Sequence, residues 1–190
     1  MADSSLTDFQ KEKILRVFHL LYDTNQDGMI KKEDFGLAVE KVCKILDWTK
    51  GGKEYSEAEE TLNLIWEGLK KYADENQDDK VSEDEWLKMW TESVKDIKSG
   101  KEFPEWQKKF VDFMFKVNDK SGDNEIDENE FSTVYQAYGI SKDNCSTAFK
   151  KISGGKNITK PQFEALWKEY FVSNDRSSKG NYLFGVPDFI

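Results

Sequence analysis

The chain has 190 residues, 37 of them acidic and 28 basic, for a formal charge of -9. Charged side chains make up 34% of it, yet aromatics reach 14%, more than a disordered acidic segment carries, so a folded acidic protein is expected. That sign of charge argues against a nucleic-acid partner, which calls for a basic stripe, and no apolar run approaches the roughly 18 residues a membrane span needs.

Residues 1–5 show no basic-then-apolar leader, and residue 2 is Ala where myristoylation needs Gly. A cytoplasmic protein is expected; the number of cysteines allows one disulfide between Cys43 and Cys145, and a reduced pair is favoured over it. Apolar residues then recur at three- and four-residue spacing, the helical period. A first helix spans Leu6 to Tyr22, capped by a box of Thr7 and Gln10, with Phe9, Ile14, Val17, Phe18 and Leu21 inward. A second spans 32–48, with Phe35, Val39, Val42 and Ile45 or Leu46 inward. The stretch 49–55, holding Gly51 and Gly52, reads as a loop. Ser56 and Glu59 then read as a capping box opening a helix that buries Leu62, Ile65, Leu69 and Tyr72. Further helices are expected at 83–98, 103–118, 128–138, 142–151 and 160–171. The fold class is all-α: eight helices in four helix–loop–helix units, paired as 1–98 and 99–171, with a tail at 172–190 packed on the body.

The loops carry the chemistry. An acidic stretch follows an apolar helix at Asp23, Asp74 and Asp119, each opening a twelve-residue frame. Positions 1, 3, 5 and 12 hold Asp23, Asn25, Asp27 and Asp34 in the first, and Asp74, Asn76, Asp78 and Glu85 in the second. In the third they hold Asp119, Ser121, Asp123 and Glu130. Position 7 offers the carbonyls of Met29, Lys80 and Glu125. This is the EF-hand spacing. Calcium, a hard cation, takes about six to eight oxygens, and a tight turn closed by a residue of the exiting helix gathers them from one short segment. The eighth residues, Ile30, Val81 and Ile126, are β-branched and suit pairing between loops. Asp79 and Asn124 stand where position 6 is ordinarily Gly, a mild departure, because Asp and Asn tolerate the left-handed conformation.

The three loops are not equal. The third adds Asp127 at position 9, able to ligate directly or through water. The first has Lys31 there, and its closing Asp34 is one methylene shorter than Glu. It is expected to be the weakest for Ca2+ and the most open to competition from Mg2+. A fourth loop, Ser153 to Gln162, has no carboxylate between Asp143 and Glu164. It is expected to bind no ion and to pair with the third through Ile158.

These residues resemble the family of invertebrate sarcoplasmic calcium-binding proteins, and within it the neuronal calexcitin branch. The match spans the chain and is carried by Lys71-Tyr-Ala-Asp-Glu-Asn76, Glu85-Trp-Leu-Lys-Met-Trp90, Val117-Asn-Asp-Lys-Ser-Gly-Asp-Asn124 and the tail segments Tyr170 to Arg176 and Lys179 to Gly185. The resemblance implies four EF-hands with the fourth degenerate, and a compact monomer acting in neuronal calcium signalling or buffering. An ion channel or other protein is an implied target, with at most peripheral membrane contact. One alternative is a pure calcium and magnesium buffer without a protein target, and a less favoured one is a binder of a coelenterazine-type small molecule. No nucleophile–base pair points to an enzyme, His19 is the single histidine, and no phosphate-cradling loop is present.

Methionine, which makes target grooves adaptable, occurs four times. Trp66, Trp86, Trp90 and Trp167 sit at helical spacing and are expected to form a rigid core, which leans toward buffering. Tyr182, Leu183, Phe184, Val186, Phe189 and Ile190 make the tail too apolar for a solvated end; it is expected to cover a cleft between the halves. The three loops hold 17 of the 37 acids in 36 residues. Outside them the chain carries 24 basic residues against 20 acidic ones, so the ion-loaded protein is expected to tolerate an anionic membrane or an acidic partner.

Overall fold

The computed structural model describes residues 5–189; the readings that concern residues 1–4 and Ile190 lie outside them. Helix α1 (Asp8–Val17) opens at the expected capping box. The Thr7 hydroxyl accepts the Gln10 amide at 3.2 Å and Gln10 Oε1 accepts the Thr7 amide at 3.2 Å. It runs into a π turn, Phe18–Tyr22, closed by the Asp23 amide donating to the Phe18 carbonyl at 2.8 Å. The sequence reads as one helix over 6–22, because a single widened turn leaves the apolar period almost unchanged.

A short strand β1 (Met29–Ile30) leads to α2 (Lys32–Leu46), which stops at Asp47 in the left-handed conformation, φ 58°. The next helix corrects the sequence reading. α3 (Lys53–Ala73) begins at Gly52, whose extended backbone caps it, and Ser56 lies inside the first turn, its hydroxyl donating to the Gly52 carbonyl at 3.1 Å. Tyr72 is 57% exposed rather than inward, since Ala73, four residues after Leu69, continues the buried stripe. Then follow β2 (Val81–Ser82), α4 (Glu83–Lys98), α5 (Glu105–Asn118), β3 (Glu125–Ile126), α6 (Glu128–Ala137), α7 (Lys142–Ser153), β4 (Ile158–Thr159) and α8 (Lys160–Val172). The described residues thus contain eight α-helices, and none is long and apolar enough to cross a membrane.

The strands are pairs inside the loops. β1 is antiparallel to β2 with Ile30 opposite Val81, and β3 to β4 with Ile126 opposite Ile158. The four β-branched residues are 0–1% exposed. Loops one and two are tied together in this way, and so are three and four.

The chain forms two compact units, one up to Phe110 and one from Val111. In the first, Trp86 lies 4.8 Å from Tyr22 and 5.8 Å from both Phe18 and Trp90, centroid to centroid, and its indole donates to the Ile14 carbonyl at 3.0 Å. Burying each such ring contributes about 1.5–3 kcal/mol. The start of α5 belongs here, because the Phe110 ring lies 4.6 Å from that of Tyr22, tilted by 38°, and Trp106 fills the space over Gly68. A side chain at 68 would meet the Trp106 Cβ at 2.3 Å. The unit therefore ends inside α5, whereas pairing of the loops groups the hands as one with two and three with four.

In the second unit the tail packs on the body, as expected. Leu183 and Phe184 are fully buried, and the Phe184 ring lies 4.7 Å from Tyr170, 5.2 Å from Trp167 and 6.1 Å from Tyr135. Within its unit the tail packs on α6, α7 and α8. A 3-10 turn, Lys179–Tyr182, brings it onto α8. Gly180 approaches the Tyr170 amide so closely that a Cβ would sit 2.8 Å away, and its own amide donates to Glu169 at 2.7 Å. Asn144 holds Val186 by two bonds, accepting its amide at 2.7 Å and donating to its carbonyl at 3.1 Å. Cys43 and Cys145 are both free and buried.

Candidate functional site

Each acidic loop lies between an entering helix that ends at position 1 and an exiting helix whose cap is position 9. The first carboxylate organises the loop by accepting backbone amides. Asp23 takes those of Asp27 and Gly28 at 3.1 and 3.0 Å, and Asp74 those of Asp78 and Asp79 at 3.2 and 3.1 Å. Asp119 takes those of Gly122, Asp123 and Asn124 at 2.8, 3.1 and 3.0 Å. To bring these amides round, the chain turns left-handed at position 4 (Gln26, Gln77, Gly122) and again at position 6. There Gly28, Asp79 and Asn124 have φ of 82°, 61° and 66°. Asp79 and Asn124 therefore adopt the glycine-like turn. The fifth residue fixes the seventh: Asp27 accepts the Met29 amide at 3.1 Å, Asp78 that of Lys80 at 3.1 Å, and Asp123 that of Glu125 at 2.9 Å.

Position 12 is the third residue of the exiting helix, so one carboxylate serves both cap and loop. Asp34 reaches back to the Lys31 amide at 2.8 Å and across to the Asn25 amide at 3.0 Å. Glu130 does the same with Asp127 at 3.0 Å and Ser121 at 2.8 Å. Glu85 accepts the Ser82 amide at 2.9 Å and hydroxyl at 2.8 Å, and the Glu75 amide at 3.3 Å. Asp127, a ligand candidate by sequence, spends Oδ1 on the Glu130 amide at 2.8 Å and acts as the cap of α6. In the fourth loop Gln162 makes the same reach to the Thr159 amide at 2.9 Å without a charge. Asn157 donates to Glu125 at 3.0 Å across the β3–β4 pair. That hand keeps the cap and lacks the acids.

The first loop is electrostatically distinct. Lys31 is ion-paired with Asp27, so position 9 puts a cation on the position-5 carboxylate. This hydrogen bond holds the Asp27 carboxyl below its ordinary range and the Lys31 ammonium above its own. Asp34 is 0% exposed, and burial pushes its carboxyl up against the pull of the Asn25 and Lys31 amides. Burial acts the same way on Glu85, but the combined donors of Ser82, Asn76 and Glu75 bring it below its ordinary value. Two features lie beyond sequence motifs. The half-exposed His19 imidazole stands 3.6 Å from Asp23 and 3.1 Å from Glu83, and Lys70 donates to Asp79 at 2.9 Å. The His19–Glu83 and Lys70–Asp79 contacts join residues of different elements, and no local pattern announces them.

The donor set suits a hard cation. In each loop the side chains at 1, 3, 5 and 12 are oxygen-bearing, and the loop amides already hold those at 1, 5 and 12 in a common frame. Among the described residues no three acidic, histidine or cysteine side chains converge into a ready-made ion cage. Like charges repel, and here they spend their lone pairs on backbone amides.

No protein-family model matches the chain. It is 33% identical over 192 residues to calexcitin-1 of Caenorhabditis elegans, covering 98% of this chain and 91% of that protein. It is 32% identical over 184 residues to the sarcoplasmic calcium-binding proteins I, III and IV of Branchiostoma lanceolatum, covering 95% and 98%. The solved structure of a sarcoplasmic calcium-binding protein from amphioxus superposes with a TM-score of 0.79 at 26% identity, over 96% of this chain and all of that one.

Proposed function

Because this chain belongs to the family of calexcitin and the sarcoplasmic calcium-binding proteins, we propose that it is a cytoplasmic, monomeric, non-enzymatic EF-hand protein that binds three Ca2+ ions in calcium signalling or buffering. Its first, second and third loops are the sites, and the fourth hand is structural. The observation that carries this reading is the common frame of the three acidic loops beside a fourth that keeps the same helix cap on Gln162 without a carboxylate. The ligands are the side chains of Asp23, Asn25, Asp27 and Asp34, of Asp74, Asn76, Asp78 and Glu85, and of Asp119, Ser121, Asp123 and Glu130, with the carbonyls of Met29, Lys80 and Glu125. The Lys31–Asp27 pair supports ranking the first site weakest for Ca2+ and most open to Mg2+, since the ion must displace a cation from one of its own ligands.

Calorimetric titration of the metal-free protein tests this. Three Ca2+ equivalents are expected, with Glu130→Gln losing one of the tighter steps and Asp23→Ala the weakest. A stoichiometry of four, or an Asp23→Ala variant that loses the tightest step, would sink the reading. The burial of Trp66, Trp86, Trp90 and Trp167, at 0–2% exposure, favours modest rearrangement and hence the buffering side. Near-UV spectra and hydrophobic-dye binding in EGTA, Ca2+ and Mg2+ read this directly, and a large calcium-specific rise in dye fluorescence would favour signalling instead.

A further inference from the structure

A groove of about 310 Å³ opens on the first unit between the end of α3, the outer face of α4 and the segment entering α5. Its floor is apolar, with Met89 and Ile97 from α4 only 8% and 4% exposed. Tyr72 stands at its lip, 57% exposed. The rim is acidic: Glu75, Glu92, Asp96 and Glu102 have side chains 49–79% exposed. Each of these four is met by a lysine of this chain, such as Lys101 on Asp96 at 2.9 Å. Exposed pairs of this kind are worth at most about 1 kcal/mol, so a partner's cations can replace those lysines at little cost. We propose that this groove docks a basic amphipathic segment of a partner protein.

The chemistry of the occupant follows from the walls. An apolar floor needs an apolar face, and four rim carboxylates held by exposed lysines of this chain can exchange them for a partner's flanking cations. The exposed phenol ring at the lip offers a surface on which a guanidinium or ammonium can stack. Met89 on the floor lets the groove adapt to different side chains. This partner has the opposite sign from the one that the chain's charge outside its loops implies, where basic residues outnumber acids; the groove's own rim decides what sits in it.

The groove shares one wall with the second loop. Glu85, the closing residue of that loop, lines it and accepts the amide of Glu75, a rim residue paired with Lys88 at 2.6 Å. An ion in the second loop draws on the same carboxylate. Occupancy of the loop and of the groove are therefore coupled, and the coupling is reciprocal; this part rests on the calcium reading above.

The test uses the full chain and a fluorescein-labelled 18-residue peptide of Lys and Leu at helical spacing with one Trp. Controls are a counterpart with Glu for Lys, and phosphatidylserine–phosphatidylcholine vesicles. Anisotropy is read in Ca2+ and in EGTA, for the native protein, Tyr72→Ala and the double variant Glu92→Lys with Asp96→Lys. None of the three substituted residues lies in a loop, so calorimetric Ca2+ titration and far-UV spectra are expected to superpose on the native ones. The native protein is expected to bind the basic peptide and not the acidic one. The double variant should bind it about tenfold more weakly, and Tyr72→Ala should also lose affinity. Equal affinity across the variants, equal binding of the acidic peptide, or binding to vesicles alone would overturn the proposal. Loss of peptide binding in the double variant, in a protein whose calorimetry shows no Ca2+ uptake, would leave the groove standing and remove the calcium reading. Ca2+ uptake without peptide binding would do the reverse.

Discussion

Lys31 shows how much one side chain can change in a loop whose frame is otherwise shared. Ser82, Asp127 and Thr159 stand at the same position in the other hands as helix caps. An ammonium has no acceptor to offer, so the Asp34 amide turns to the Lys31 carbonyl at 3.1 Å. Replacing Lys31 by Ser restores the cap and frees Asp27. The variant is expected to gain about 0.5–2 kcal/mol of stability and to bind Ca2+ several-fold more tightly at the first loop. Urea unfolding and calorimetry measure the two effects, and an unchanged first-loop affinity would refute this role for Lys31. A second residue-scale expectation concerns alkali. Burial pushes up the Tyr135 phenol and the Cys145 thiol. A folded-state pKa above the unfolded one contributes stability that is complete below the unfolded value and lost as pH rises through the folded value. With ordinary values of 9.0 for the thiol and 10.0 for the phenol, urea midpoints in EGTA should be level from pH 7 to about 8.5 and fall above it. A midpoint that rises toward pH 10.5 would contradict the assignment.

At the scale of elements, the cap and the loop explain why helices were easier to place than their ends. Thr7 with Gln10 and the helix at 83–98 were legible because a cap and an apolar period are written within a few neighbouring residues. The start of α3 was not, because Ser56 can hydrogen-bond equally well as a cap or inside the first turn, and the extended backbone of Gly52 decides between them. The tail was legible as apolar, but the individual rings it packs against in its own unit were not, because they come from separate helices. Phe184 is 0% exposed among Tyr135, Trp167 and Tyr170. Phe184→Ala is therefore expected to cost about 3–5 kcal/mol, read by urea denaturation followed through tryptophan fluorescence. Deleting residues 172–190 should expose the same rings and raise hydrophobic-dye binding. Unchanged stability together with no new dye binding would show that the tail is not part of the core.

For the whole molecule, charge is concentrated where ions are expected to sit. Seventeen of 37 acids fall in three loops, so the metal-free protein repels itself locally while its remainder is near balance. Screening should relieve this. The melting temperature in EGTA is expected to rise between about 0.02 and 0.5 M NaCl, and to rise further with Ca2+, which at a hundredfold excess over its dissociation constant adds about 2.7 kcal/mol per site. Scanning calorimetry decides it. A metal-free melting temperature that falls with salt would mean that surface pairs such as Lys101–Asp96, rather than loop repulsion, dominate.

The sequence by itself determined the helices, the pairing residues Ile30, Val81, Ile126 and Ile158, and the oxygen-bearing positions of the loops. All of these depend on interactions between residues a few positions apart, which a linear pattern records. Tertiary structure alone decided the outward turn of Tyr72, the packing partners of Phe184 and the filling of the space over Gly68 by Trp106. These are settled by what each side chain meets across the fold, and one apolar residue on a helical period looks like another until its neighbours from distant segments compete for the same volume.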